Sequence, residues 1–413
     1  MSPAWFARPL AGLLFIALIV GPAASARADD ASPLTRARVI ELARSSSPTV
    51  RVAATAVEEE RAGLIGARIF ARDNPVFEAV AGPRWGDDTA MDIEATLAIP
   101  IELGGKRRKR VAVANAAIQR ATAEVAVDEQ DAISRALAAY YRALHAQDRL
   151  RLAEERKKLA DQLLAAAESR KLAGDVAELE VNLAATEVAR AESEALAEAA
   201  EVERARGDLA ITLGLDLADV AVVDGSLGER AAFDALRDTD AQERADVTAA
   251  REAVRAEEAE IVSADAARFP DLSFRVTYAR EDGGTDIVLA GLAVTLPLFD
   301  RGQGERAAAR VRTRRAELEL DLTEQAVATE VEVASRAYVS TVAAVVKLEE
   351  DALPLVERNE VLSVTAYEAG KANVSTVILV RREALDTRRE YLDRQLAAAL
   401  AGVELSRSLG ALP

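Results

Sequence analysis

The most concentrated chemistry in this sequence is a run of five basic residues, Lys106, Arg107, Arg108, Lys109 and Arg110. The run stands where a helical pattern begins, at the end of a helix where the backbone dipole is already positive. The five cations therefore call for a compensating anion, which could be the lipid headgroups of a membrane leaflet. A solvated face of the helix is the alternative interpretation.

The residue types that usually carry catalysis or bind metal ions are scarce. The 413-residue chain has no cysteine, two methionines and one histidine, His145, so we expect no thiolate nucleophile, no disulfide and no soft-metal site. It contains no phosphate loop, no Gly-x-Ser-x-Gly motif and no HExxH motif. We therefore expect neither enzymatic activity nor a cofactor or bound metal.

The composition favours long helices. Charged residues make up 29% of the chain and aromatic residues only 4%. Long runs rich in Ala, Glu, Arg and Leu are typical of extended helices or coiled coils. The net charge of −17 argues against a nucleic-acid-binding protein, whose surface is normally basic.

The N-terminus has the pattern of an export signal. Residues 1–28 combine a basic start, an apolar run from Leu10 to Val20 and a small-residue end. This pattern predicts a secretory signal peptide cleaved after Ala26 or Ala28. Because the chain has no cysteine, we do not expect a lipoprotein.

Four landmarks recur in the same order in both halves of the chain, 195 to 197 residues apart. They are Pro75 and Pro270, Pro100 and Pro297, Gly174 and Gly370, and the pairs Leu213–Gly214 and Leu409–Gly410. Four matches in register indicate a tandem duplication. We predict a first repeat over 29–228 and a second repeat over 229–413.

Each repeat is expected to begin with a helix, at 34–70 and at about 239–268, and to continue with a β-hairpin. Alternating apolar residues such as Ile93, Leu97 and Ile99, beside turns rich in Asp and Gly, are typical of strands. The predicted strands lie at about 75–85, 90–100, 270–280 and 286–297.

A helical hairpin is expected to follow each pair of strands, at 106–214 and at 303–410. No proline or glycine interrupts residues 106–173, so this helix should be on the order of 100 Å long. Pro354 should kink the equivalent helix or end a segment of it.

Four strands of about ten residues have the length of tilted membrane-spanning strands. Four strands cannot close a barrel, and lipid does not tolerate an open sheet edge. Several chains must therefore pool their strands. We predict a mainly α protein with a small β part, a tandem-duplicated channel-tunnel protomer with long coiled-coil hairpins.

Two segments carry a family resemblance, PIELGGKRRKRVAVA from Pro100 and LPLFDRGQGERAAAR from Leu296, and the run from Pro297 to Gly304 is the most specific. Essentially the whole mature chain resembles the TolC-like outer-membrane efflux proteins, most like the heavy-metal branch of cobalt-zinc-cadmium resistance type. The resemblance implies a homotrimer with a shared twelve-stranded β-barrel in the bacterial outer membrane and a helical tunnel in the periplasm. It also implies a periplasmic adaptor (a membrane fusion protein) and an inner-membrane pump of RND type as partners.

The resemblance implies roles for residues near the two hairpin turns, at 170–182 and 366–378. Tyr367 and Glu180 match the positions of a hydrogen-bonded latch that holds the aperture closed. The turn residues expected to contact the adaptor are Gly174, Gly370, Lys371 and Asn373. Where some members carry paired aspartates after the second turn, this chain has Thr376 and Leu379, so an acidic constriction is not expected there.

The predicted function is that of an outer-membrane exit duct which passively conducts heavy-metal cations out of a tripartite efflux pump. A duct for small organic toxins or for a type I secreted protein is an alternative within the same family. A soluble periplasmic coiled-coil adaptor is an alternative of another class. Outer-membrane lipid is an expected partner of the basic run at 106–110. Trp85, which stands at a predicted hairpin turn, is either a second contact with lipid at the membrane interface or a loop residue.

Overall fold

The computed structural model describes residues 33–85, 90–220, 222–228, 243–281 and 284–412. The predicted signal peptide and the predicted hairpin turn at 86–89 lie outside the described residues. So do residues 229–242, at the start of the predicted second repeat.

The chain is mostly helical with one small sheet, as predicted. The described elements of the first half are α1 Arg36–Ser45, α2 Pro48–Ala67, β1 Val76–Arg84, β2 Ala90–Ile101, α3 Lys106–Leu172 and α4 Glu178–Leu213. Those of the second half are α5 Ala245–Ala264, β3 Asp271–Glu281, β4 Thr285–Thr295, α6 Gln303–Lys347, α7 Leu353–Glu368 and α8 Val374–Ser408. The two halves thus repeat the order of helix, two strands and helical hairpin.

The single helix predicted over 34–70 is wrong, because the chain breaks between α1 and α2. Ser47 has a non-helical backbone, with φ −53° and ψ 129°, and Pro48 begins α2. Proline has a fixed φ and no N–H, so it suits the first turn of a helix and not the interior. The sequence contained this signal at Pro48.

The helix α3 is the longest element of the described chain and packs against helices of both halves. Its 67 residues span on the order of 100 Å, and it contacts α2, α4, α5 and α8. Alanines are buried along it every seven residues, at Ala139, Ala146, Ala153, Ala160 and Ala167. This spacing is that of a coiled coil, and the small side chain lets neighbouring helices approach closely.

The matching helix of the second half is interrupted. A π-helical segment, Leu348–Ala352, separates α6 from α7, and Pro354 lies in the first turn of α7. Because proline cannot donate a backbone hydrogen bond, the helix changes geometry before it, as the sequence predicts. In the described residues no helix combines the length and the apolar character required to cross a membrane.

Glycine ends both hairpins in a conformation that other residues rarely adopt. Gly214 follows α4 with φ 69°, and its amide donates to the carbonyl of Ile211. A Cβ added at Gly214 would lie 2.8 Å from the carbonyl oxygen of Ser46. The α1–α2 break and the end of α4 therefore fit together only if residue 214 has no side chain.

Gly214→Ala should lower the free energy of unfolding by about 1–3 kcal/mol, through backbone strain and the clash with Ser46. Gly207→Ala is the matched control, because Gly207 lies inside α4 with nothing within 4 Å of an added Cβ. The control should gain about 0.5–1 kcal/mol from helix propensity. Chemical denaturation followed by circular dichroism measures both, and a neutral Gly214→Ala would contradict this account.

Candidate functional site

The four strands form one antiparallel sheet in the order β1-β2-β3-β4. The two halves of the chain meet at its centre, where β2 pairs with β3 and the hydroxyl oxygens of Thr96 and Thr277 lie 2.9 Å apart. Strands β1 and β4 are the edges, and one side of each has no partner strand within the described residues. Such edges present backbone N–H and C=O groups to which further strands can add.

One face of the sheet is apolar across all four strands, except where Arg280 and Asp286 lie on it beside the β3–β4 hairpin turn. The strand register places Leu97 between Phe77 and Val276, so the three side chains project from the same face. Other apolar residues of this face are Ala79, Ala81, Ile93, Ala95, Ile99, Phe274, Val288, Ala290 and Leu292. Phe77 is 70% exposed and Leu292 67% exposed, so the described part of the chain leaves this face uncovered.

The opposite face of the sheet is the more polar one, and it also carries Val80 and Leu289. Its charged residues are Glu78, Arg84, Asp92, Glu94, Asp271, Arg275 and Glu281. Arg84 Nε lies 2.8 Å from Asp92 Oδ2, and Arg84 Nη2 lies 3.4 Å from Glu281 Oε2. Five carboxylates and two guanidinium groups leave this face with a net negative charge.

Exposed aromatic residues stand at both ends of the sheet. Trp85 directly follows β1 at the end of the hairpin and is 87% exposed. Phe70 and Phe299 lie at the other end, where the sheet meets the helices, and Phe299 is 93% exposed. Aromatic residues in two such positions are typical of the two borders of a membrane-spanning sheet.

A tight turn joins each pair of strands to a long helix. Gly105 precedes α3 with φ 69°, and Gly302 precedes α6 with φ 70°. A Cβ added at Gly302 would lie 2.6 Å from the Cβ of Ala267, so only glycine fits. Asp300 Oδ1 accepts a hydrogen bond from the Gly302 amide at 2.9 Å. These contacts explain Asp300 and Gly302 within the run from Pro297 to Gly304.

The basic run at the start of α3 finds part of its counter-charge inside the chain. Lys106 Nζ lies 2.6 Å from Asp271 Oδ1, and Arg110 Nη1 lies 2.6 Å from Glu102 Oε2. Two of the five cations therefore have protein carboxylates as partners. For Lys106 and Arg110, the compensating anion predicted from the sequence is a protein carboxylate and not a lipid headgroup.

The other three cations of the run face outward or contact neutral groups. Arg107 donates to the carbonyl of Arg68 at 2.9 Å, and Lys109 Nζ lies 5.6 Å from the centre of the Phe269 ring. Arg107 and Arg108 are exposed. Contact between this part of the run and a membrane surface stays a prediction.

The α3–α4 hairpin carries two rows of opposite charge, each with a seven-residue spacing. The row on α3 consists of Arg142, Arg149, Arg156 and Arg170. The row on α4 consists of Glu180, Glu187, Glu194 and Glu201. Leu163 takes the one position of the first row that lacks an arginine. Seven residues correspond to two helical turns, so each row follows one side of its helix. We refer to these two rows, together with Arg382 and Arg389 of α8, as the charge ladder.

Glu187 is the most enclosed member of the charge ladder, at 7% exposed. Its two carboxylate oxygens lie 2.5 Å from Arg156 Nη2 and 2.8 Å from Arg382 Nη2. Burial alone would raise the pKa of Glu187, but the hydrogen bonds and charges of the two arginines outweigh burial and lower it. Arg156 belongs to the first half and Arg382 to the second, so Glu187 joins the two hairpins. Glu194 is likewise in contact with Arg156 and Arg389.

The hairpins turn at Gly174, with φ 83°, and at Gly370, with φ 68°. Lys371 and Asn373 are exposed beside the second turn. Asn373 also caps α8, because its Oδ1 accepts a hydrogen bond from the Thr376 amide at 2.9 Å. The structure thus gives three of these residues a local role in the turns, and their contact with another protein stays a prediction.

Tyr367 and Glu180, the predicted latch, both lie at this tip. Tyr367 is 4% exposed and belongs to an apolar cluster with Leu163, Val374 and Val377. Within the described residues neither the Tyr367 hydroxyl nor Glu180 Oε2 has a hydrogen-bond partner. The hydrogen bond between them is not formed in this protomer, and the latch stays a prediction for the assembled protein.

Arg170 is a tip residue that the sequence interpretation missed. Its Nη1 donates to the carbonyl oxygen of Tyr367 at 3.2 Å, and its guanidinium carbon lies 4.6 Å from the centre of the Tyr367 ring. The sequence does contain a signal for it, because Arg170 continues the seven-residue row of Arg149 and Arg156.

Possible metal ligands do not cluster in the described part of the chain. There, no group of three or more His, Cys, Asp or Glu side chains is arranged to hold a metal ion. His145 Nε2 lies 2.8 Å from Asp393 Oδ1, which Arg149 Nη1 also contacts at 3.2 Å. The one histidine of the sequence thus takes part in the contact between α3 and α8.

The model of one protein family matches nearly all of the described chain. The family is that of outer membrane efflux proteins, and the match covers residues 39–215 and 236–411, one segment in each half. The chain is also 26% identical over 388 residues to the cobalt-zinc-cadmium resistance protein CzcC of Cupriavidus metallidurans, covering 92% of this chain and 91% of that protein.

Several solved structures share the fold. The outer-membrane channel OprN superposes with a TM-score of 0.74 at 20% identity, over 91% of this chain and 90% of its own. The outer membrane protein VceC of Vibrio cholerae gives 0.71 at 21% identity, over 91% and 96% of the two chains. CusC, whose structures describe folding and transmembrane channel formation, gives 0.72 at 18% identity, over 91% of each chain.

Glu187→Gln should lower the free energy of unfolding at neutral pH by about 1–3 kcal/mol, because the enclosed guanidinium of Arg156 and the partly exposed guanidinium of Arg382 lose their carboxylate. The lowered pKa of Glu187 means that the carboxylate stabilises the fold at pH values above 4.5, the ordinary pKa of this side chain. That stabilisation is lost as the pH falls below 4.5, so the difference between wild type and variant should shrink there.

Thermal unfolding of both proteins across this pH range measures the effect. Glu319→Gln is the control, because Glu319 forms an exposed pair with Arg315 on a single helix. A gap between wild type and Glu187→Gln that stayed constant with pH would contradict the assignment.

Proposed function

The chain belongs to the family of outer membrane efflux proteins, and we propose that it forms the outer-membrane exit duct of a tripartite efflux system. One observation carries the proposal: a four-stranded sheet with an uncovered apolar face and a polar face stands at one end of very long helices. The duct conducts its substrate passively and catalyses no reaction, and an inner-membrane pump of RND type supplies the energy.

The two open edges of the sheet support assembly of several copies. Unpaired backbone groups are costly in lipid, so β1 of one chain pairs with β4 of the next until the ring closes. Three chains supply twelve strands. In such a barrel the apolar face meets lipid and the polar face lines the lumen, as expected for a membrane barrel.

The dimensions of the elements fit a membrane and the space below it. Strands of 9 to 12 residues are about 30–40 Å long and cross a bilayer when tilted. The helix α3, on the order of 100 Å long, is far longer than a bilayer is thick, so the helices project into the periplasm as a tunnel. Export begins with the signal peptide at 1–28.

Both ends of the molecule then have partners. Arg107, Arg108 and Lys109, together with the exposed rings of Phe70 and Phe299, contact lipid at the periplasmic border of the barrel. At the far end, the exposed turns around Gly174 and Gly370 contact the periplasmic adaptor, with Lys371 and Asn373 among the contact residues. Tyr367 and Glu180 lie next to these turns, where they influence the width of the aperture.

Heavy-metal cations are the proposed cargo. The relative CzcC, named for cobalt, zinc and cadmium resistance, supports this choice, and so does the net negative charge of the polar sheet face. Small organic toxins remain the second candidate within the family. A soluble periplasmic adaptor is disfavoured by the uncovered apolar face, which would be exposed to water.

Purified in mild detergent from the outer-membrane fraction, the protein should form particles with the mass of three chains and should conduct ions in planar bilayers. Leu97→Arg, on the apolar face, should reduce the amount of assembled particle, because an arginine facing lipid near the bilayer centre costs about 2–4 kcal/mol. Thr96→Arg is the matched control on the polar face of the same strand and should assemble. A monomer in the soluble periplasmic fraction, or equal assembly of both variants, would contradict the channel.

For the cargo, expression with a metal-type adaptor and pump in cells that lack their own system should lower cell-associated Zn²⁺, Co²⁺ and Cd²⁺ and raise tolerance to these ions. Cells expressing Leu97→Arg should keep the metal content of the empty strain. Tolerance that rises for organic toxins and not for metal ions would favour the second candidate.

A further inference from the structure

The charge ladder is incomplete at the tip. Glu187 is held between Arg156 and Arg382, one from each half of the chain. Seven residues closer to the tip, Glu180 has a buried carboxylate oxygen without a hydrogen-bond partner in the described residues. The α8 position seven residues before Arg382 is Ser375, which has no charge to offer.

The arginine of α3 nearest the tip, Arg170, is turned to the other hairpin. It donates to the Tyr367 carbonyl in the last turn of α7, where the negative end of the helix dipole favours a cation. Its guanidinium also lies over the Tyr367 ring, in the geometry of a cation–π contact. An added Cβ at Gly370 would lie 4.0 Å from Arg170 Nη2, so the turn leaves room for this side chain.

We propose that Arg170 is a positioning residue that joins the two hairpin tips of one chain and limits the width of the tunnel end, with Glu180 as a competing partner. The proposal rests on the channel function proposed above. When Arg170 binds Tyr367, the first hairpin is tied to the second and Glu180 is left unpaired. When Arg170 turns to Glu180, it pairs within its own hairpin, and the tie between the tips is lost.

This proposal and a latch made by Tyr367 and Glu180 alone predict different effects of Glu180→Gln on the conductance of the channel. A direct latch is weakened by Glu180→Gln, which should then raise the conductance of the channel. In the present proposal the same change removes the competitor of Tyr367, so the conductance should stay the same or fall. A rise in conductance for Glu180→Gln would overturn the assignment of Arg170.

Arg170→Met removes both the hydrogen bond and the cation over the ring. Loss of one such contact shifts the balance between closed and open tips by about tenfold, so single-channel conductance in planar bilayers should rise. Arg170→Lys keeps a cation and a donor, and should stay close to wild type. Lys157→Met is the control, because Lys157 pairs with Glu192 at 2.9 Å inside one hairpin and should leave conductance unchanged.

A distance measurement tests the same point independently of conductance. The sequence has no cysteine, so spin labels can be placed on Leu172→Cys and Leu379→Cys, two exposed positions near the two turns. The distance between the labels should widen or become more broadly distributed in Arg170→Met. Unchanged distances and unchanged conductance in assembled Arg170→Met would overturn the proposal.

Whether the variants form particles distinguishes a role of Arg170 in positioning the tips from a role in folding. Arg170→Gln is added to the series because it keeps a hydrogen-bond donor without the charge. If the Met, Gln and Lys variants all fail to form wild-type particles, Arg170 acts in folding and the proposal is wrong. A wild-type protein that forms no conducting particle defeats the proposed channel itself. A conducting wild type with an unaffected Arg170→Met defeats only this inference.

Discussion

The four-stranded sheet imposes the constraint on which the rest of the architecture depends. It has two open edges, and its apolar face is left uncovered by every described helix. An isolated chain would therefore present both unpaired backbone groups and a broad apolar surface, each of which favours association with other chains or with lipid. Other copies and a lipid environment remove both problems together. The two open edges and the uncovered apolar face are accommodated when several chains close one structure, which is why the proposed function follows from the sheet.

The long helices must keep a fixed register along a length on the order of 100 Å, although few large apolar side chains lie between them. Alanine at every seventh position of α3 brings the helices close together but does little to distinguish one register from another. The charge ladder supplies that distinction, because a slip of one turn would separate Glu187 from Arg156 and Arg382 and leave enclosed charges unpaired.

Much of the fold could be predicted from the sequence, because its signals are local. The alternation around Leu97 predicts strands, and Gly174 and Gly370 predict the turns. The partners of the basic run could not be predicted, because Asp271 is 165 residues from Lys106 and only the β2–β3 pairing brings them together. The break at Pro48 was a local signal and was overlooked. The role of Arg170 could not be predicted, because only the packing of α3 against α4 shows that its row of arginines faces a row of glutamates.

The tandem duplication predicted from the repeated landmarks would place like charges at equivalent positions of the two halves. The α8 residues equivalent to Glu187 and Glu194, at an offset of 196, are Glu383 and Glu390. The arginines that reach across are the residues just before them, Arg382 and Arg389, on a neighbouring side of the helix. If the halves arose by the predicted duplication, their complementarity arose by divergence. The α8 residue at the tip, Ser375, has no charge with which to pair Glu180. The charge ladder therefore makes its fewest contacts at the end of the tunnel.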